Sequence, residues 1–410
     1  MMSRTVFPGA AAAVALLLVL TGCAPDAAPE PTVEALDRAP LALSVGTLLP
    51  KTGAMASFGP AAEAAAELAA GDINTADAGI TVTITSADSG DAKTDTSIES
   101  TTTLLDGGAS VIVGAISDNV SRKVLDQIVS AGAVEISPGN TSTDFTRAAD
   151  HDLYWRTAPS CVLEGDAMGK QIAADGVKTL GVVYETGFCE PGLPEALTAA
   201  FERAGGKVAA SVPYAAGTSD LKAQVATAIE AKPEAVVVVG SKGAQASVPA
   251  LAAAKYDGSH LYFVGLSIAN HSADIPAGAI TGSIASMPGL DISKLGDFTD
   301  RLLDINPALK DFSYAAETYD AVVLAALAAL AANSTKGADI AASLREVSGG
   351  EGKGTKASDF ASAAKIILDG GTVDYDGVSG EITFDAKGDP QGAVIGMYRY
   401  GKDNAFERIN

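Results

Sequence analysis

The chain has 410 residues with 28 basic and 50 acidic side chains, a formal net charge of −22. That balance excludes nucleic acid as a partner, because neutralising phosphates takes clustered Lys and Arg. Aromatic residues are few and Ala and Gly abundant, and the length suits about two to three closely packed α/β domains.

Residues 1–22 read as a leader rather than as fold. Arg4 gives a positive start, and 9–20 is an apolar stretch too short to anchor stably in a bilayer. It ends in Leu20-Thr21-Gly22-Cys23, which looks like a bacterial lipobox: small residues before a cysteine whose thiol takes a diacylglycerol. Cys23 is therefore the expected lipidation site, and 23–39, rich in Pro, Ala and acids, the expected flexible tether. Of the three cysteines, Cys161 and Cys189 remain, an even number in an exported chain, which permits one disulfide.

Residues 41–48 are expected as the first strand, with a loop over 49–59. Pro60 suits a helix N1 position, and Ala65, Leu68, Ala69 and Ile73 mark that helix's buried face. A strand over 80–85 and a helix over 96–105 follow. Val111-Ile112-Val113 is all apolar, as a parallel strand covered on both faces should be, and Gly114 ends it. Ser117 stands at an N-cap position, Asp118 in the first turn, and Val120, Val124, Leu125 and Ile128 form one apolar stripe. The next strand, 133–136, runs into the polar loop Ser137-Pro138-Gly139-Asn140-Thr141. Ligands of parallel α/β sheets bind beyond the carboxyl ends of the strands, so two consecutive polar loops converge at one such edge.

A strand over 153–156 leaves this first region. The βα rhythm then restarts with helices expected over 164–174, 193–204, 220–231 and 245–254. Strands alternate with them over 179–184, 208–212, 235–239 and 261–264. Two runs of this kind, separated by an extended connector, imply two similar lobes with parallel sheets. Later helices are expected over 298–303, 314–332 with Ser313 as its cap, and 338–347, and late strands over 382–385 and 394–400. The 321–332 stretch is apolar all round and so buried, being too short to span a membrane.

Catalytic constellations do not stand out. No G-x-S-x-G elbow occurs, the three histidines lack a convincing Ser or Cys partner, and H-E-x-x-H and C-x-x-C are missing. The run over 349–356 lacks the Gly-Lys-Ser/Thr order of a P-loop and follows a helix. A binding protein, without cofactor or metal, is the simpler reading than an enzyme.

Several stretches, in this order and spacing, carry a family resemblance. They are Gly46-Thr47-Leu48-Leu49-Pro50-Lys51-Thr52-Gly53 with Phe58-Gly59, Ala70-Gly71-Asp72-Ile73-Asn74, Gly114-Ala115-Ile116-Ser117, and Ile136-Ser137-Pro138-Gly139-Asn140-Thr141 with Phe145-Thr146. Tyr154-Trp155-Arg156-Thr157-Ala158-Pro159, Tyr314 with Tyr319-Asp320-Ala321, and Asp376-Gly377-Val378-Ser379-Gly380-Glu381-Ile382-Thr383-Phe384-Asp385 complete them. Together they resemble the type I periplasmic solute-binding proteins of the Leu/Ile/Val-binding kind, which feed ABC importers.

The resemblance implies an α/β fold of two Rossmann-like parallel-sheet lobes joined by a three-crossover hinge that closes on a solute. Lobe 1 would be 40–158 and 288–380, and lobe 2 would be 159–287 and 381–410. In the family the first lobe grips an amino-acid carboxylate, roles that fall here on Ser117, Gly139 and Thr141 with neighbouring Asn140. Phe58 and Tyr314 would add aromatic cleft positions, and lobe 2 would contribute Phe188 or Cys189 and Ser241 or Lys242. Ser267 stands where amino-acid binders often place an acid for the ammonium, with Glu185 or Glu317 as possible substitutes. Asp118 either caps its own helix or faces the cleft, where it would repel a carboxylate. Cys161 and Cys189 would brace the rim of lobe 2. The implied protein is a monomeric, lipid-anchored extracytoplasmic receptor that delivers a small amino-acid-like solute to an ABC permease. The alternative is a sensor subunit presenting an amide, urea-like or other small solute to a membrane signalling partner.

Overall fold

Two parallel sheets form the framework of the computed structural model, which describes residues 38–189, 192–241, 243–265, 275–290, 295–350 and 352–410. The expected leader and Cys23 lie outside the described residues. In the first sheet β1 (Leu41–Leu49), α1 (Gly59–Thr75), β2 (Ile80–Asp88), α2 (Thr96–Asp106), β3 (Val111–Gly114), α3 (Asp118–Ser130), β4 (Val134–Ser137), the single turn α4 (Thr143–Thr146) and β5 (Tyr154–Arg156) follow one another. The strand order is β2-β1-β3-β4-β5, all parallel. Pairings of Leu48 with Gly114, Val113 with Ile136 and Ser137 with Arg156 bring the carboxyl ends of β1, β3, β4 and β5 to one edge.

The second lobe repeats the rhythm with α5 (Cys161–Ala174), β6 (Thr179–Glu185), α6 (Gly192–Arg203), β7 (Lys207–Tyr214), α7 (Lys222–Ile229), β8 (Ala235–Val239), α8 (Gly243–Ala253), β9 (Leu261–Val264) and β10 (Ile284–Pro288). The all-valine run of β8 is buried throughout, as a central strand covered on both faces requires. The chain then returns to the first lobe with α9 (Gly296–Ile305), α10 (Ala315–Ala332), α11 (Gly337–Val347), β11 (Thr355–Ala357), α12 (Phe360–Leu368), β12 (Val373–Gly377) and β13 (Gly380–Glu381). It ends in the second sheet with β14 (Ile395–Tyr400) and β15 (Phe406–Arg408), both antiparallel, giving the order β15-β14-β10-β9-β8-β6-β7.

Helix α10 is long and apolar enough to cross a membrane by composition, yet 83% of it is buried, and it packs in the first core with α1, α11 and α12. Its N-cap is Tyr314 in a left-handed conformation, so Ser313 does not cap it. Residues 382–385 are not a strand. Ile382 and Phe384 instead sink into the first core, and Phe384 makes only an isolated bridge to Pro390. Asp389 also belongs with the first lobe, through Arg156. The chain is back in the second sheet from Ile395, where β14 pairs with β10.

Candidate functional site

At the shared edge of the first sheet, the loops after β3 and β4 interlock. Gly114 has φ +136°, and a Cβ there would strike the Leu48 carbonyl. A Cβ on Gly139 would lie 2.7 Å from Ile116 Cγ2, so this glycine lets the two loops touch. Ser137 Oγ donates to the Ala115 carbonyl at 2.7 Å and accepts the N–H groups of Gly139 at 3.2 Å and Asn140 at 2.9 Å. Asn140 is fully buried. Its Nδ2 donates to Ile116 O at 3.2 Å, and its Oδ1 accepts the Tyr154 hydroxyl at 2.9 Å. Gly139 and Asn140 thus shape the loop and present no free polar group of the kind expected to hold a carboxylate.

Asp118 ties the two loops together. It does not cap its own helix. Its Oδ1 accepts the N–H of Thr141 at 3.0 Å and of Ser142 at 3.4 Å, across to the other loop. Burial raises its carboxyl above the usual range, against the lowering pull of Ser142 N–H, Arg122, Thr141 N–H and Arg156. Ser117 holds the N-cap position but its side chain caps nothing. The half-buried hydroxyls of Ser117 and Thr141 make no hydrogen bond among the described residues.

An aromatic wall stands beside them. The rings of Phe58, at the start of α1, and Tyr314 meet edge to face at 5.2 Å and pack on Leu49, Ala62 and Ile116. The Tyr314 hydroxyl is pushed up to about 12 by burial, with Glu317 and Asp118 adding to the effect. Glu317 lies one turn on, against Thr157 and Gly289. Its carbonyl accepts the Thr157 hydroxyl at 2.8 Å, and its carboxyl stands 3.9 Å from where a Cβ on Gly289 would be. Burial, then Asp320, pushes that carboxyl up to about 7.

In the second lobe the ends of β6 and β8 meet at Glu185. Its Oε2 accepts both the N–H and the hydroxyl of Ser241 at 2.8 Å and the Tyr214 hydroxyl at 3.5 Å. Ser241 therefore turns its hydroxyl onto Glu185, which is itself buried. The Phe188 ring packs against Gly265. Ser267 and Lys242 lie outside the described residues. Cys161 and Cys189 form a disulfide with Cα atoms 6.4 Å apart. It abuts the first lobe: Cys161 N–H donates to the Thr141 carbonyl at 3.0 Å, and Cys189 Sγ lies 3.4 Å from the same oxygen.

Two supporting groups escaped the sequence reading. Arg156 is fully buried and clamps the 140–146 loop, donating to Asn140 O at 3.2 Å, Ser142 O at 2.8 Å and Asp389 Oδ1 at 2.6 Å. Glu164, buried in the first turn of α5, accepts Gly265 N–H at 3.2 Å and the Ser286 hydroxyl at 2.8 Å, and burial pushes it up to about 7. The only local signal for Glu164 was an acid on the buried side of a helix, which does not reveal its partners 101 and 122 residues away.

Two parallel-sheet lobes crossed three times by the chain, with polar strand-end loops at their edges, define a protein of the type I periplasmic binding class. A family profile described as "Periplasmic binding protein" matches residues 42–389, and the chain belongs to that family. The substrate-binding protein BasB of a chemotactic signal transduction system in Halobacterium salinarum is 27% identical over 289 residues, 68% of this chain and 67% of its own. Among solved structures, a leucine-binding protein of Thermotoga maritima superposes with TM-score 0.62 at 17% identity, over 90% of this chain and 98% of its own. A solute-binding protein of R. palustris in complex with benzoate gives 0.62 at 19%, over 90% and 96%. A substrate-binding protein of Desulfitobacterium hafniense in complex with Leu gives 0.63 at 20%, over 90% and 100%. At these identities the structures establish the fold.

Proposed function

We propose that the protein captures a small amino-acid-like solute between its two lobes by hinge closure and hands it to an ABC permease. Cys23 would hold it at the outer face of the cell membrane as a lipoprotein, and the protein itself would carry out no chemistry on the solute. Lobe 1 would comprise 40–158 and 288–389, and lobe 2 would comprise 159–287 and 395–410. The observation that carries the reading is the pair of hydroxyls, Ser117 and Thr141, unengaged among the described residues, beside the Phe58–Tyr314 wall and against the disulfide rim of the other lobe. A solute touching both lobes supplies the free energy that favours closure.

The test is a thermal-shift panel of amino acids, amides and small carboxylates. A one-site ligand at a hundredfold excess over its dissociation constant stabilises by about 2.7 kcal/mol. A panel that moves nothing argues against the reading. A Cys23→Ser chain that still partitions with membranes removes the anchor.

The alternative role, as a sensor subunit presenting its solute to a membrane signalling partner, is supported by the chemotactic system named for the Halobacterium salinarum relative. Co-purification of cross-linked partners from membranes separates the two: a permease supports transport, a signalling receptor supports sensing.

A further inference from the structure

The amides of residues 139–142, the stretch that the family resemblance assigns to an anion, are taken by the protein's own side chains. Ser137 Oγ takes the first two N–H groups, and the Asp118 carboxylate takes those of Thr141 and Ser142. The nearest cations are committed as well. Arg122 is paired with Asp144 at 2.8 Å and donates to Asn119, and Arg156 is paired with Asp389. What remains at this edge is negative or neutral: the Asp118 and Glu317 carboxyls, the hydroxyls of Ser117 and Thr141, which can accept as well as donate, and the Phe58–Tyr314 wall. A second carboxylate brought here would meet Asp118 in a partly desolvated setting, where like charges repel strongly and only neutral hydroxyls, with no uncommitted cation, are left to offset the repulsion.

Taking the interlobe cleft as the solute site, as proposed above, we infer that Asp118 determines the solute class. The end of the solute that meets the first lobe carries N–H donors without negative charge, an amide or an ammonium group, and not a carboxylate. Asp118 stands in for the carboxylate of an amino acid.

The test uses matched probes at pH 7.5, leucine against leucinamide and benzoate against benzamide, measured by calorimetry on the non-lipidated protein. The inference predicts that in any pair that binds, the amide member binds at least tenfold tighter. It also predicts that Asp118→Asn, which keeps an oxygen for the Thr141 N–H, narrows the ratio to threefold or less. Asp118→Ser provides the same readout if the Asn variant does not fold, and the wild-type ratio stands without either. Carboxylates that bind tighter than their amides, or a ratio unchanged in a folded variant, overturn the inference and leave the solute receptor standing. A panel in which no probe binds counts against the receptor reading itself and takes the inference with it.

Discussion

Asp118 Oδ1 lies 3.0 Å from the Thr141 amide nitrogen, joining two loops 23 residues apart in sequence. Among the described residues the hydroxyls of Thr141 and Ser117 make no hydrogen bond. Thr141→Ala and Ser117→Ala are each expected to weaken solute binding by about 1 kcal/mol, the net scale of one hydrogen bond. Folding stability should change by less than about 0.5 kcal/mol, because neither hydroxyl holds the fold together. Calorimetry paired with urea unfolding checks both halves of this expectation.

Arg156 and Asp389 form the opposite kind of contact, an ion pair between fully and nearly fully buried side chains. Removing the acid leaves a guanidinium uncompensated among the loop carbonyls it clamps. Asp389→Ala should cost about 3–5 kcal/mol of stability. The urea midpoint should fall with the slope unchanged. A midpoint within the wild-type error would show that Arg156 finds enough partners without Asp389.

The disulfide closes a segment with a sequence separation of 28. The chain-entropy account gives about 3–4 kcal/mol for a loop of this size. The Cys161→Ser, Cys189→Ser double variant should lose stability on that scale. Thiol titration of the unfolded Cys23→Ser protein should find no free thiol until reductant is added, and two free thiols would refute the bridge.

Four buried acids give a pH dependence of one sign. Burial pushes Glu135 up to about 8, Glu164 and Glu317 up to about 7, and Asp320 up to about 6. Glu135 has no hydrogen-bond partner for either carboxyl oxygen, and its neighbours Ala115 N–H and Ser121 Oγ bond to each other. Each folded pKa lies above the unfolded value, so the native state holds more protons through the window from about 4.5 to 8. Stability from these groups is therefore complete at the acid end and is lost as pH rises, by up to about 1.4 kcal/mol per pH unit for each proton. Calorimetric melting should be higher at pH 5.5 than at pH 8, and Glu135→Gln should flatten the difference. A melting temperature that climbs steadily from pH 5.5 to 8 contradicts this.

Most of the framework was legible because it is written locally. The β8 and β9 strands fall at 235–239 and 261–264, where unbroken apolar runs demand burial on both faces. Helix α12 was not read, although Asp359 caps it by accepting Ser362 N–H at 2.9 Å, because nine residues give little periodicity. Strand β12, Val-Asp-Tyr-Asp-Gly, hides behind its acids, and β10 behind Met287 and Pro288. At the site, sequence marked Ser117, Thr141 and Tyr314 through the loops that carry them. It left the direction of Asp118 open and cast Asn140 as a lining residue. Both depend on which loop packs on which, and that is set by the parallel register of β3 and β4 rather than by any neighbour in sequence.

The central claim is capture by closure of two lobes. Its most direct measurement is energy transfer between fluorophores at exposed Ala54, in the loop after β1, and exposed Ala215, in the loop after β7, titrated with whichever solute the thermal panel identifies. The account predicts a saturable change in transfer whose midpoint coincides with one-to-one binding in the calorimeter. Tight binding with no change in transfer, while Ser117→Ala and Thr141→Ala bind as well as wild type, would contradict it.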